Sequence, residues 1–285
     1  MPYTPWTKPD TIARPIAIIG GGVMGRRIGM MWLAAGYKVT LCEKDITHPS
    51  EAVTYINENK NPQAKKRGTI PAELKVTPTM KDAVSNAWMV LEAVPEKLDL
   101  KINILAEIDK LAPADCIIAS NSSSLRTSQM IVKTEKNYRI CNGHYYMPPE
   151  QVFFEVMSCG ATDPDIFPFL MEKASSAGFR PVNAKVESTG LVFNRIWAST
   201  KREVLLVLAE GVSDARTVDE MFKSFFNASN GPCQMMDTVG LDTVCNIEAV
   251  YTEARNLDTR AMDWLKKNYV DQGNLGAKGG KGLLG

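Results

Sequence analysis

The chain has 285 residues, with 33 basic and 32 acidic side chains and a formal net charge of +1. This length suits two domains or one large one and easily supports a buried core. The balanced, dispersed charge argues against a nucleic-acid surface, and no apolar run approaches the ~20 residues that span a bilayer.

The cysteines and the chain ends favour an intracellular protein. Six cysteines lie far apart without a C-x-x-C pair, which favours reduced core thiols over disulfides or a metal site. Residues 1–15 have the features of neither a signal peptide nor a transit peptide. The final residues, GLLG, are not a peroxisomal tripeptide. We therefore expect a cytoplasmic protein.

The first predicted elements frame a glycine-rich turn. An apolar, strand-like run over 16–19 leads into GGGVMG at 20–25, which fits G-x-G-x-x-G. A helix follows and ends near Gly36, a residue suited to a left-handed C-cap. A second strand over 38–42 ends at Glu43.

Each glycine of this turn has a physical task in dinucleotide binding. Gly20 allows the tight turn, Gly22 leaves room for the pyrophosphate, and Gly25 lets helix and strand pack closely. Free backbone N–H groups at the helix start then face the phosphates, so Val23 and Met24 are also cofactor-binding candidates.

The acid after the second strand predicts the cofactor. Glu43 lies 18 residues after Gly25, where a carboxylate can accept hydrogen bonds from the adenosine ribose hydroxyls. It would repel a 2′-phosphate, which favours NAD over NADP, although Lys44 weakens that preference. A lone G-x-G-x-x-G also fits ordinary turns. The ordered strand, turn, helix, strand and acid favour a nucleotide site over an ordinary buried strand–helix unit.

The rest of the chain divides into a mixed part and a helical part. Residues 44–86 are helix-prone, but their prolines and Gly68 predict short helices rather than one long one. Further strands are predicted at 88–94, 116–119, 139–146, 152–157 and 181–184, and helices at 98–111 and 166–177. From residue 187 no strand run occurs, and 192–209 predicts a long helix.

This alternation predicts an α/β fold with a Rossmann-type wound, mostly parallel sheet, followed by a smaller all-α C-terminal domain. We expect the NAD-binding domain at 1–186. The helical domain, at 187–285, is expected to serve substrate binding and dimerisation.

Eight motifs carry a family resemblance over about residues 14–284. They are GGGVMG at 20–25, LEAVPEKLDLK at 91–101, ASNSSSL at 119–125, GHYYMP at 143–148, FEV at 154–156, GLVFNR at 190–195, GPCQMMDTVGLD at 231–242 and GAKGGKG at 276–282. In this order they resemble the L-3-hydroxyacyl-CoA dehydrogenases and their relatives acting on small 3-hydroxy acids, such as L-gulonate and carnitine dehydrogenases.

The resemblance implies catalytic roles. His144 matches the catalytic histidine that begins an HFFNP-like motif, and Glu155 matches the glutamate that orients it. Ser123 and Asn194 match residues that hydrogen-bond the substrate's hydroxyl or keto oxygen.

The resemblance also implies residues near the NAD. These further cofactor-binding positions are Ala93, Val94, Glu96, Lys101, Asn121 and Lys278.

The chemistry of these residue types agrees with alcohol oxidation. Histidine is a suitable base near neutral pH, and a carboxylate on its other nitrogen fixes the tautomer and stabilises the imidazolium. Serine and asparagine can donate to an oxygen that gains charge, while the nicotinamide carries the redox chemistry.

Each residue also has an ordinary interpretation when it is taken singly. His144 could be a satisfied core histidine, and Ser123 could belong to a polar turn or a helix N-cap. Glu155 could be a strand-face carboxylate and Asn194 a plain helix residue. His48, the other histidine, is expected at the surface.

Three departures from the family pattern bear on the substrate. Met147 stands where the family has an asparagine, and Glu155 follows His144 by 11 residues, one fewer than expected. The segment between Glu43 and Trp88 is shorter than in the acyl-CoA enzymes, where it forms a helical hairpin that helps to hold CoA.

The sequence therefore predicts an NAD-dependent oxidoreductase that interconverts an L-3-hydroxy and a 3-keto group. A 3-hydroxyacyl-CoA of fatty acid metabolism is the leading substrate. The alternatives are a non-CoA small 3-hydroxy acid or a weakly active NAD-binding structural protein. The expected assembly is a homodimer joined through the helical domain, with no nucleic-acid or membrane partner.

Overall fold

The structure is a computed structural model that describes residues 6–43 and 50–285. It divides into a unit that ends at Ser188 and a second unit over Thr189–Gly285. This division lies two residues beyond the boundary expected from the sequence.

The first unit is built on one eight-stranded sheet. Its strands are β1 (Ile16–Ile19), β2 (Val39–Cys42), β3 (Leu74–Thr77), β4 (Met89–Glu92), β5 (Ile117–Ser120), β6 (Ile140–Tyr145), β7 (Phe153–Ser158) and β8 (Arg180–Ala184). The strand order is β3-β2-β1-β4-β5-β6-β7-β8, and β6 pairs antiparallel with β7 while the other pairs are parallel. The predicted wound, mostly parallel sheet is confirmed.

Helices join and cover these strands. In this unit they are α1 (Val23–Ala34), α2 (Glu51–Arg67), α3 (Met80–Val84), α4 (Leu98–Leu111), α5 (Thr127–Met130) and α6 (Ile166–Ser176).

Both faces of the sheet are buried, as expected when helices cover both sides. Because strand side chains alternate between faces, Ile16 and Ile18 join one apolar cluster while Ala17 and Ile19 join another. The central strands are therefore short, continuous apolar runs.

The expectation of short helices after Glu43 is wrong. Residues 51–67 form one helix that continues through Pro62, begins with a Ser50 cap and ends at Gly68 with φ of 67°. Ala52 and Ile56 of this helix are buried, and α2 packs extensively against α1. This tertiary packing outweighs the backbone hydrogen bond that the proline removes.

The second unit is helical, as predicted. It contains α7 (Val192–Ala209), α8 (Ala215–Phe226), α9 (Pro232–Val239), α10 (Leu241–Arg255) and α11 (Arg260–Asn268). An isolated bridge between Gly276 and Lys281 is the β pairing described within residues 189–285. Across the described ranges, no helix is both long and apolar enough to cross a membrane.

Candidate active site

The glycine turn lies where the winding direction of the sheet reverses. The chain moves outwards from β1 to β2 on one side and from β4 to β5 on the other. The carboxyl ends of β1 and β4 are therefore the topological switch point, where open parallel sheets bind ligands. Gly20 follows β1 with φ of 109°, and a Cβ there would lie 2.7 Å from the Ala93 carbonyl oxygen after β4. Only glycine fits this approach.

The two later glycines of the turn meet different surroundings. A Cβ on Gly25 would overlap the carbonyl oxygen of Gly20, whereas a Cβ on Gly22 would have no atom within 4 Å. Gly22 is the N-cap of α1 and supplies no side-chain cap. The open space beside free helix N–H groups fits a pyrophosphate, so these residues suit NAD.

The Glu43 carboxylate lies beside this turn. A Cβ on Gly21 would collide with the Glu43 carboxylate, and the Ser50 hydroxyl donates to the same carboxylate oxygen at 3.2 Å. The backbone N–H of Glu43 donates to the Thr77 carbonyl at 2.9 Å, which extends the β2–β3 pairing. Lys44 and His48 lie outside the described residues.

A cavity of about 210 Å³ in the first unit collects predicted catalytic and cofactor residues. It is lined by Met24, Ala93, Val94, Glu96, Lys101, Asn121, Ser123, His144, Tyr145 and Tyr146. These residues come from the start of α1, the start of α4 and the ends of β4, β5 and β6. The cavity therefore lies at the carboxyl edge of the central strands, which is the edge that carries the glycine turn.

Glu96 organises the serine loop at the cavity wall. Its carboxylate accepts hydrogen bonds from the Ser122 hydroxyl at 2.5 Å, the Ser124 hydroxyl at 2.9 Å and the Ser123 N–H at 3.2 Å. Burial raises the pKa of Glu96, but the Lys101 charge and the serine donors outweigh it and hold the pKa below its ordinary value. The backbone of Ser123 makes this contact, so the contact does not occupy the Ser123 hydroxyl.

His144 is held by a main-chain carbonyl. Its Nδ1 lies 3.0 Å from the Asn121 carbonyl oxygen, which can only accept, so Nδ1 carries the proton and Nε2 has the free lone pair. The Asn121 side-chain oxygen accepts the Tyr145 N–H at 2.8 Å, which ties this residue to β6. Burial lowers the pKa of His144 below 6.5, against the Asn121 carbonyl and the charges of Glu155 and Glu96, which raise it. The lowered pKa favours the neutral imidazole near pH 7.

Glu155 pairs with His144 across the antiparallel β6–β7 ladder, which puts both side chains on one face of the sheet. Glu155 is 3% exposed, and its Oε1 accepts a hydrogen bond from the Tyr146 hydroxyl. The described partner of His144 Nδ1 is the Asn121 carbonyl, and the role of Glu155 in orienting His144 stays a prediction.

Glu92, which was not among the predicted site residues, is fully buried. It accepts hydrogen bonds from Lys101 Nζ at 2.7 Å, the Ser120 hydroxyl at 2.5 Å and the Val94 N–H at 2.8 Å. Lys101 Nζ also lies 3.3 Å from the Glu96 carboxylate. Lys101 therefore links two glutamates and fixes the loop after β4. The sequence feature that could have identified Glu92 is its position as the charged residue at the end of the apolar run MVLE.

Two predicted site residues belong to the second unit. Asn194 lies in the first turn of α7. Lys278 donates to the Asp242 carboxylate at 3.0 and 3.2 Å and to the Thr243 hydroxyl at 2.7 Å. The contacts of Lys278 tie the C-terminal segment to α10.

Comparison with known families matches nearly the whole chain. Residues 15–187 match the NAD-binding domain of 3-hydroxyacyl-CoA dehydrogenase, and residues 190–284 match the C-terminal domain of the same enzyme.

Individual relatives carry related names. The 3-hydroxyacyl-CoA dehydrogenase-like protein LAM1 of Cochliobolus heterostrophus is 45% identical over 50% of this chain and 31% of its own length. The L-carnitine dehydrogenase of Mesorhizobium japonicum is 30% identical over 76% of this chain and 61% of its own length. The chain thus spans less than two thirds of either relative.

Among solved structures, (S)-3-hydroxybutyryl-CoA dehydrogenase PaaH1 from Ralstonia eutropha is 26% identical, with a TM-score of 0.84 over 95% of this chain and 98% of that one. The two matched domains indicate the same family as the Rossmann-type sheet and the glycine turn. The chain belongs to the 3-hydroxyacyl-CoA dehydrogenase family of NAD-dependent oxidoreductases.

Proposed function

We propose that the protein interconverts an L-3-hydroxy group and a 3-keto group, with NAD as the hydride carrier. The observation that supports this most is the cavity in which a neutral histidine and Ser123 meet beside the glycine turn. When bound, NAD supplies the hydride chemistry. The protein residues then have to bind, orient and move one proton.

His144 is the proposed acid–base residue. In the oxidation direction its Nε2 takes the hydroxyl proton, because Nδ1 is already occupied by its hydrogen bond to the Asn121 carbonyl. The positive imidazolium that forms is stabilised by the buried Glu155 carboxylate and by the same carbonyl. In the reduction direction the imidazolium returns the proton to the keto oxygen.

Ser123 and Asn194 are the proposed hydrogen-bond donors to the reacting oxygen. The Glu96 contact to the Ser123 backbone holds the serine loop in one conformation, so that the hydroxyl needs little reorganisation. Asn194 would supply a second donor from the second unit. Glu43 is the proposed ribose partner, and Lys278 is retained as a proposed cofactor neighbour.

A 3-hydroxyacyl-CoA is the leading substrate, with a small non-CoA 3-hydroxy acid as the alternative. The alternative is favoured by the segment between β2 and β3, whose described residues hold one helix, α2, where the resemblance implies a CoA-holding hairpin. Relatives named for both substrate classes keep the choice open. We expect the enzyme to depend little on the nucleotide part of CoA.

The test compares acetoacetyl-CoA, the N-acetylcysteamine thioester of acetoacetate and free 3-keto acids while NADH absorbance is followed. Remote binding contacts raise kcat/KM by anchoring the reacting end, so a lost CoA contact should bring the two thioesters within about tenfold. A preference of about a hundredfold for the CoA ester would restore the ordinary acyl-CoA assignment. Absence of turnover with every 3-keto compound would favour the NAD-binding structural protein.

A further inference from the structure

Tyr146 connects the two residues of the proposed acid–base pair. Its hydroxyl donates a hydrogen bond to Glu155 Oε1, and its ring lies 4.8 Å from the His144 ring in an edge-on arrangement. It also lines the cavity. The HFFNP-like motif of the resemblance has a phenylalanine at this position, where this chain has Tyr146.

We propose that Tyr146 is a positioning residue, whose hydroxyl holds the Glu155 carboxylate and thereby sets how strongly that carboxylate acts on His144. This proposal rests on the proposed function of His144 as the acid–base residue. It deepens that function by adding a third member to the pair.

The strand geometry explains why one tyrosine reaches both partners. Strand β6 ends at Tyr145, so Tyr146 begins the following loop, and its ring contact with His144 places it beside the imidazole. Glu155 lies directly opposite His144 in the register of β6 and β7. The hydroxyl thus meets the carboxylate next to the imidazole.

The carboxylate acts on the imidazole mainly through its charge. Nδ1 of His144 already donates to the Asn121 carbonyl, so Glu155 is not needed to fix the tautomer. Glu155 is buried and its charge is spread into the Tyr146 hydroxyl, which weakens its attraction for a proton on His144. Removal of the hydroxyl should strengthen that attraction.

Other charged groups near His144 stay constant in this comparison. Glu96, from the loop before α4, acts on His144 by its charge, and Lys101 of α4 lines the same cavity while paired with Glu92 and Glu96. Because Glu155 Oε1 accepts the Tyr146 hydrogen bond, we assign a change in His144 titration on loss of that hydroxyl to Glu155, and a variant without the carboxylate tests this assignment.

The test measures the imidazole titration by NMR in Tyr146→Phe. The chain has two histidines, so a His48→Asn background leaves His144 as the only histidine signal. We expect the pKa of His144 to rise, because the Glu155 carboxylate then attracts the imidazolium proton more strongly. The fall of kcat/KM for oxidation on the acid side should move to higher pH with it. Tyr138→Phe is the control, because that hydroxyl donates to the Ala114 carbonyl outside the cavity and its loss should shift nothing.

A second background, Glu155→Gln, tests whether the change in the His144 pKa depends on the Glu155 carboxylate. In Glu155→Gln the carboxylate charge is gone, so adding Tyr146→Phe should leave the His144 pKa unchanged. If Tyr146→Phe folds poorly, Tyr146→Leu takes its place. This variant also lacks the hydroxyl, so the His144 pKa should rise in it as well. An unchanged or lowered pKa overturns the proposal, as does a shift that persists without the carboxylate. Because NMR titration needs no turnover, these outcomes are distinct from a failure of the dehydrogenase assignment.

Discussion

The state of one imidazole sets the pH range of the proposed reaction. Burial holds the pKa of His144 below its ordinary value of 6.5, so the neutral, proton-accepting form already dominates at pH 7. The value of kcat/KM for oxidation reports the ionisation of the free enzyme. It should therefore be constant through neutral pH and fall only as the pH drops below about 6.5. An acid limb above pH 7 would contradict a neutral buried histidine.

Replacement of that imidazole tests the same assignment directly. His144→Ala should lower kcat by about 10²–10⁴-fold, the usual contribution of a general base. NADH binding, followed by fluorescence, should be largely retained because the glycine turn and Glu43 are untouched. His48→Ala serves as a control variant that should keep the wild-type rate.

Residue identities at the site were more predictable than their partners. His144, Ser123 and Glu96 could be chosen from the motifs of the family resemblance, and all three line the same cavity. The Asn121 carbonyl, Tyr146 and Glu92 contacts could not, because they arise from strand register and loop closure between distant segments. From the sequence alone Tyr146 is an ordinary aromatic residue, because its contact with Glu155 depends on the pairing of β6 with β7.

At the scale of elements, the glycine turn joins folding and cofactor binding, and two substitutions should separate them. Gly25→Ala would force its methyl group into the Gly20 carbonyl oxygen, so we expect a loss of about 1–3 kcal/mol in the free energy of unfolding together with weak NADH binding. Gly22→Ala meets open space, so it should keep the melting temperature while NADH binding falls.

Thermal unfolding and NADH fluorescence titration check both variants. The structural argument holds if Gly22→Ala loses binding alone and Gly25→Ala loses both properties. If Gly22→Ala binds NADH as tightly as the wild type, the space above that glycine is not the pyrophosphate site.

Elements were predicted well where one signal dominated. The α4 and α7 spans follow from apolar residues at helical spacing, and the central strands follow from short apolar runs between turn residues. The α2 helix was misjudged because Pro62 is a strong local breaker, whereas packing against α1 cannot be read from local sequence. Strand β3 was missed because it is a four-residue edge strand with one buried residue.

At the scale of the whole molecule, the second unit leaves large apolar side chains on its surface. Phe225 and Phe226 of α8 are 80% and 70% exposed, and Met221 lies one turn before Phe225. Ile196 of α7 is exposed as well. Contiguous exposed apolar side chains mark protein interaction sites, and twofold symmetric dimers are the commonest soluble assembly. We therefore propose a homodimer joined through the helical unit.

Light scattering during size-exclusion chromatography at micromolar concentration tests this assembly. The wild type should show twice the chain mass of 31.4 kDa. Phe225→Asp combined with Phe226→Asp should shift it towards the single-chain mass, because two charges would have to be buried without partners. Ile70→Asp, at an 87% exposed position of the first unit, should leave the mass unchanged. A wild-type protein of single-chain mass, or a double variant that keeps twice that mass, would place the apolar side chains of α8 outside any dimer interface.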